Sequence, residues 1–178
     1  MHPDTMRLID RWVGIPLCFF ASFWPLKKAQ ADSNSTLATN IPPPDTIVFI
    51  GIAEIGALVV AYPAIKETRK QHPKSRIYFI TAPAGFQPLV LMGFEKEDIF
   101  LLETTSIKSL LKGIVNIRSH FKGGRVSAIV LEPFTRFSTL LSAWIGASKR
   151  IGCYRFLNEG VFLGNILTHR LVYNPHLH

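Results

Sequence analysis

The chain is poor in the residues and patterns that mark several common protein classes. Its two cysteines, Cys18 and Cys153, stand far apart, one in an apolar leader and one in a strand-like segment. That leaves no metal-ligand spacing and no disulfide framework, and a reducing cytoplasm is the default compartment. Six histidines are scattered along the chain, and the terminal pair His176 and His178 has no carboxylate or cysteine support, so no metal site is expected. There is no G-x-G-x-x-G and no glycine loop followed by Lys-Ser/Thr, which argues against nicotinamide and ATP cofactors and against a stand-alone oxidoreductase. The uncharged leader run Trp12 to Leu26 has fifteen residues, short of the about 20 that a helical membrane span needs. Repeats and low-complexity tracts are absent as well.

Acidic residues are also scarce, 12 Asp and Glu against 20 Lys and Arg, for a net charge of +8. Residues 1–45 carry four of each sign, so the whole excess belongs to residues 46–178, with sixteen basic and eight acidic side chains. A basic domain suggests an anionic partner. An aromatic-interleaved basic stripe and RNA-binding signatures are missing, so that partner is not expected to be nucleic acid.

What remains reads as one globular domain preceded by a leader. Hydrophobic residues make up 48% of the chain and charged residues 18%, enough for one good core. The leader, residues 1–30, holds the run WVGIPLCFFASFWPL between Arg11 and Lys27-Lys28. It is open to three readings: a signal peptide ending at Ala29-Gln30-Ala31, a poor transmembrane helix, or a segment lying in the membrane interface. Asp4 and Asp10 in the basic region, and the lysine pair beside the cleavage site, speak against the signal. Tryptophans near both ends favour an interfacial segment, with an apolar arm packed on the domain as the plainer alternative. Residues 31–45, rich in Ser, Thr, Asn and Pro, read as a linker, and the folded domain runs from 46 to 178.

Within that domain the hydrophobic period switches repeatedly. Strands are expected at Ile47 to Ile50, Arg76 to Thr81, Ile99 to Leu102, Ser127 to Leu131 and, last, Arg150 to Cys153. Helices are expected at Leu58 to Gln71, Phe86 to Met92, Ser106 to Phe121 and Arg136 to Ile145, with Pro63 early in the first of them. Strands alternating with helices imply right-handed crossovers and a parallel sheet covered on both faces, an α/β fold. Ile47-Val48-Phe49-Ile50 has the continuous apolar character of a strand buried on both faces and is the expected centre.

In such sheets ligands bind beyond the carboxyl ends of the strands. The segments to watch are therefore Gly51 to Gly56, Ala82 to Gly85, Glu132 to Arg136 and Tyr154 to Asn158. Gly51 and Gly56 bracket a turn into a helix, where free N–H groups favour anions. Glu132 follows an apolar strand and precedes Pro133, which holds it extended. Its carboxylate can accept sugar hydroxyls and Arg136 can clamp a phosphate; the plainer alternative is an ion pair between the two. His169 reads as a core or edge hydrogen-bonding residue.

The order Gly51, Ala53, Gly56 and Pro63-Ala64-Ile65, followed by Phe79 to Leu91 and by IVLEPFTRFSTLLSAWIGASKRIG from Ile129 to Gly152, resembles glycosyltransferase family 9, the heptosyltransferase-like enzymes. The family motif runs R-x-S-x-x-G-D and then P-A-L. The resemblance spans about Thr46 to Tyr173. It implies a Rossmann-like doubly wound sheet, the N-terminal half of a two-domain GT-B type glycosyltransferase, with the donor-binding domain absent from these residues. It also implies a nucleotide-sugar donor, a lipopolysaccharide or other glycolipid acceptor, a peripheral place on the cytoplasmic face of the inner membrane, and no cofactor. A phosphorylated glycolipid or an anionic membrane surface suits the basic charge.

The family's acidic residue after the glycine is Ala57 here, which cannot accept a proton. Glu54-Ile55-Gly56-Ala57 resembles a branch that reads E-x-G-A, so Glu54 is the candidate base, with a helix-dipole role as its alternative. Gly51, Gly56, Glu132 and Arg136 are the candidate substrate-binding residues. The alternative function is a non-catalytic, membrane-associated acceptor-binding or scaffold module.

Overall fold

The computed structural model describes residue 12 and residues 14–23, 43–52, 55–103, 105–133, 135–156 and 162–173. Helix α1 (Gly14–Phe23) precedes an alternation of strands β1 (Thr46–Ile50), β2 (Arg76–Thr81), β3 (Ile99–Leu101), β4 (Val126–Val130), β5 (Lys149–Phe156) and β6 (His169–Tyr173). The intervening helices are α2 (Ile55–Gln71), α3 (Phe86–Leu91), α4 (Ile107–His120) and α5 (Arg136–Trp144). The strands form one sheet in the order β3-β2-β1-β4-β5-β6, and every neighbouring pair is parallel.

Alternation along β1 builds both cores. Ile47 and Phe49 face α2 and α3, packing with Leu58, Ile65, Phe79 and Leu89. Val48 and Ile50 face the other way, packing with Ile117 and Phe121 of the α4 end and Leu141 and Ile145 of the α5 end. Helices on both faces make the sheet doubly wound and Rossmann-like, as the alternation predicts. Each fully buried Phe or Ile here contributes on the order of 1.5–3 kcal/mol, so a strand buried on both faces is the natural centre. Arg118 of α4 ties the two outer helices together by donating to the Trp144 carbonyl and lying 4.7 Å over its ring.

Within the domain, three differences from the expected strands and helices exceed one residue. Helix α2 starts at Ile55, three residues before the expected Leu58, and takes Gly56 into its first turn. Pro63 is then its ninth residue; the carbonyl it leaves without a donor is that of Val59, and Val59 is exposed, so water can serve it. Strand β5 extends to Phe156, which places Tyr154 inside the strand, where its ring lies 4.3 Å under the Arg170 guanidinium. And β6, unforeseen, pairs with β5 through an irregularity at Cys153/Arg155. His169 opens that edge strand with Nδ1 2.9 Å from the Thr168 hydroxyl.

The chain joins the fold slightly before Thr46. Ser75 donates to the Pro44 carbonyl at 2.5 Å, and Asp45 bridges to Arg125. Helix α1 packs along α5. Among the described residues, no helix is long and apolar enough to cross a membrane.

Candidate functional site at the β1–β4 switch point

With β1 at the centre, successive connections run outward to β2 and β3 and then return to the other side at β4. The carboxyl ends of β1 and β4 therefore flank the crevice where open α/β sheets bind ligands. The Leu131 amide donates to the Ile50 carbonyl at 2.9 Å, and the Gly51 amide to the Ile80 carbonyl at 3.0 Å. These bonds carry the ladder one residue past the strands and fix where each chain leaves the sheet.

Beyond that point a single carboxylate joins the two loops. Glu132 is 3% exposed. Its Oε1 accepts the Ile52 amide at 2.6 Å, while Oε2 accepts the Ser138 hydroxyl at 2.5 Å and that of Thr135 at 3.4 Å. A buried carboxylate that accepts short bonds from two segments of the chain is a strong tie between them. Its donors come from the β1 turn and the first turn of α5. Thr135 occupies the N-cap of α5 but makes no side-chain cap there; its hydroxyl donates instead to the carbonyl and carboxylate of Glu132.

The sequence brought Glu132 forward as a sugar ligand or an ion-pair partner, and missed its role as a tie between loops. Thr135 and Ser138, hydroxyls three and six residues after a carboxylate at a helix start, were the available signal. Arg136, in the first turn of α5 and half-buried, donates from Nε to the Phe162 carbonyl at 3.2 Å. Glu132 and Arg136 thus lie on the same sheet edge as the β1 turn.

The glycines divide. Gly51 is buried, and a Cβ there would lie 2.7 Å from Leu58 Cδ2, so its lack of a side chain lets α2 approach β1. Gly56 has open space around it and is exposed in the first turn of α2, where backbone N–H groups lack intrahelical acceptors. Ala57 lies one residue further along α2. Glu54, the candidate base, lies outside the described residues, in the two-residue gap between Ile52 and Ile55.

The basic residue that opens the expected strand Arg150 to Cys153 has a structural explanation. Arg150 is 1% exposed, donates from Nε to the Ile166 carbonyl at 2.6 Å and from Nη1 to the Ala147 carbonyl. Burial lowers its pKa from the usual arginine value. The guanidinium braces the chain on either side of β5.

No protein-family model matches the chain, and no curated protein matches it in sequence. Solved structures do match its fold. The E. coli heptosyltransferase WaaC with ADP-2-deoxy-2-fluoro heptose superposes with a TM-score of 0.56 at 10% identity, over 75% of this chain and 44% of that one. The same enzyme with ADP gives 0.56 at 9% identity, over 75% and 43%. A glycosyl transferase family 9 structure from Veillonella parvula gives 0.54 at 19% identity, over 74% and 38%. The chain thus spans less than half the length of these structures. At such identities the likeness is one of fold, and that fold is the Rossmann-like α/β arrangement found in GT-B type glycosyltransferases.

Proposed function

We propose that the chain is the N-terminal, acceptor-side half of a family 9, heptosyltransferase-like glycosyltransferase. It would transfer a sugar from a nucleotide-diphosphate donor to a lipopolysaccharide or other glycolipid acceptor. The observation that carries this reading is the glycine turn after β1, held at the switch point by the bond from Ile52 to Glu132, in a fold shared with a heptosyltransferase solved with an ADP-heptose analogue. Such an acceptor requires the enzyme to work as a peripheral protein at the cytoplasmic face of the inner membrane.

In this reading Gly51, Gly56, Glu132 and Arg136 frame the acceptor edge. Glu54 takes the proton of the acceptor hydroxyl as that oxygen attacks the anomeric carbon, and a second α/β domain holds the departing nucleotide diphosphate. The displacement inverts the anomeric centre and needs no metal. Ala57 at the family's acidic place favours a second reading, a non-catalytic acceptor-binding or scaffold module.

The experiment joins the chain to a donor domain, supplied by a continuing or neighbouring reading frame, and measures sugar transfer. Glu54→Gln is expected to lower turnover by about 10² to 10⁴ with acceptor binding nearly intact, and Ala57→Asp to restore part of it. Unchanged turnover in Glu54→Gln would reduce that carboxylate to a helix-dipole partner, worth about 0.3–1 kcal/mol. The purified 178-residue chain alone is expected to show no turnover, and measurable transfer by it would overturn the half-enzyme reading.

A further inference from the structure

Helix α1 has two unlike faces. Gly14 and Cys18 are buried, and with Ser22 they form a small-residue stripe at helical spacing. Ser22 donates its hydroxyl to the Cys18 carbonyl at 2.7 Å and accepts the Asn165 amide at 3.0 Å. Gly164, at φ +59°, comes so close that a Cβ there would sit 2.0 Å from the Ser22 oxygen and 2.8 Å from the Cys18 carbonyl. The stripe is clasped to the segment between β5 and β6 and to α5. The opposite face carries Ile15, Leu17, Phe19, Phe20 and Phe23, each 39–75% exposed, with the ring of Phe19 edge-on to those of Phe20 and Phe23.

We infer that this face binds the surface of an anionic lipid bilayer while the other stays clasped, so that α1 sets the orientation of the whole domain on the membrane. A helix presenting bulky apolar side chains on one face inserts them at the headgroup boundary, and nearby cations add attraction to anionic lipid. The charge in sequence is complementary to such a surface. Between Asp10 and Asp32 the only charged residues are Arg11, Lys27 and Lys28, and residues 136–178, which supply α5 and the Asn165 segment that hold α1, carry four Lys and Arg (136, 149, 155, 170) besides the enclosed Arg150, against the single Glu159. Phe162, two residues before Gly164 and 48% exposed, adds a further apolar ring beside the clasp. A second copy is a poor occupant, because it would bring one body of net charge +8 against another. The inference does not need the sugar-transfer reading: its failure would remove α1 as the membrane contact, while sugar transfer is decided separately by the turnover of the Glu54 variant.

The test is flotation of the purified full chain with phosphatidylglycerol-containing vesicles and with pure phosphatidylcholine vesicles, alongside hydrogen exchange at the Asn165 amide. Wild type is expected to float with the anionic vesicles and much less with the neutral ones. The Phe20→Asp/Phe23→Asp variant, changed only at exposed positions, is expected to keep its thermal transition and lose about tenfold or more in partitioning. Asn165 is expected to exchange equally slowly with and without lipid. Failure to float, equal partitioning of the variant, or equal binding to neutral vesicles would overturn the inference. So would faster Asn165 exchange on anionic vesicles, which would make α1 a released tether. Concentration-dependent dimers that the variant abolishes, without lipid binding, would assign the face to a second copy.

Discussion

The β1–β4 pair is tied at both ends by the same device in two different environments. At the carboxyl end, Glu132 from the β4 loop accepts the amide of Ile52 from the β1 loop. At the amino end the roles are exchanged: Asp45, just before β1, accepts the amide of Arg125, just before β4, at 3.2 Å. Asp45 also receives Nε at 3.2 Å and Nη2 at 2.9 Å from the same arginine. Glu132 is buried, whereas the Asp45 and Arg125 side chains are both about half exposed, at 54% and 52%. The chemistry of the tie is shared, and burial decides what it is worth. In water a carboxylate can be lost at little cost; out of water its donors are left with no other acceptor.

The two helices that start at the crevice differ in the same way. The start of α5 turns its hydroxyls inward onto Glu132, with Ser138 only 1% exposed. The start of α2 presents Ile55 and Gly56 to solvent and has no acidic residue in its first turn. One side of the crevice is turned inward onto its own carboxylate, and the other meets solvent at Ile55 and Gly56.

The largest effect on stability is expected from Glu132→Ala, which takes the acceptor from Ile52, Ser138 and Thr135 at once. Leaving buried donors unsatisfied should cost about 2–4 kcal/mol, a fall in Tm of roughly 4–16 °C for a domain of this size. Ser138→Ala, which removes one donor and leaves the tie to Ile52, should cost roughly 0.5–1.5 kcal/mol. Thermal unfolding of the two variants checks the ranking. If they fell equally, Glu132 would matter through the hydroxyl alone and not as a link between loops.

The paired glycines sharpen the contrast further. Gly51→Val must push into Leu58 and should destabilise by about 1–3 kcal/mol. Gly56→Ala enters open space on a helix and should stabilise by up to about 1 kcal/mol. Urea midpoints would show the two shifts with opposite signs. A destabilising Gly56→Ala would mean that the glycine's backbone freedom is needed at the start of α2.

The sheet was legible in the sequence because its signals are local. Ile47 to Ile50 is apolar throughout, Pro42 to Pro44 precede it, and Arg76 to Thr81 falls where the pattern puts it. Strand β6 was not legible, because an edge strand with His169, Arg170, Leu171 and Val172 all exposed has neither continuous apolar character nor alternation. At the site, position was legible and role was not. Glu54 and Glu132 read alike as carboxylates beyond strands, and only the burial of Glu132 among donors 80 and six residues away identifies it as a tie. The basic Arg150 misleads in the same manner, since nothing local announces that its guanidinium is enclosed by the carbonyls of Ala147 and Ile166.

The smallest effect is expected at the exposed tie, and it depends on pH. Side-chain hydrogen bonding from Arg125 comes first, ahead of backbone bonding from the same residue, in lowering the Asp45 pKa from its ordinary 3.8. A carboxyl whose pKa is lower folded than unfolded stabilises the fold above its unfolded value, and that contribution disappears as pH falls through the folded one. The window therefore lies below about 3.8, well under neutral. Asp45→Asn keeps the shape and an acceptor but cannot ionise, so wild type should lead it slightly at neutral pH and lose the lead as the solution is acidified through that window. Added salt should shrink the lead at neutral pH, because both side chains are solvent-exposed. Urea midpoints for the two proteins across the acid range test this directly. A gap between them that stays constant from neutral pH to the acid limit would show that Asp45 acts through its shape and its bond to the Arg125 amide, with its charge contributing nothing.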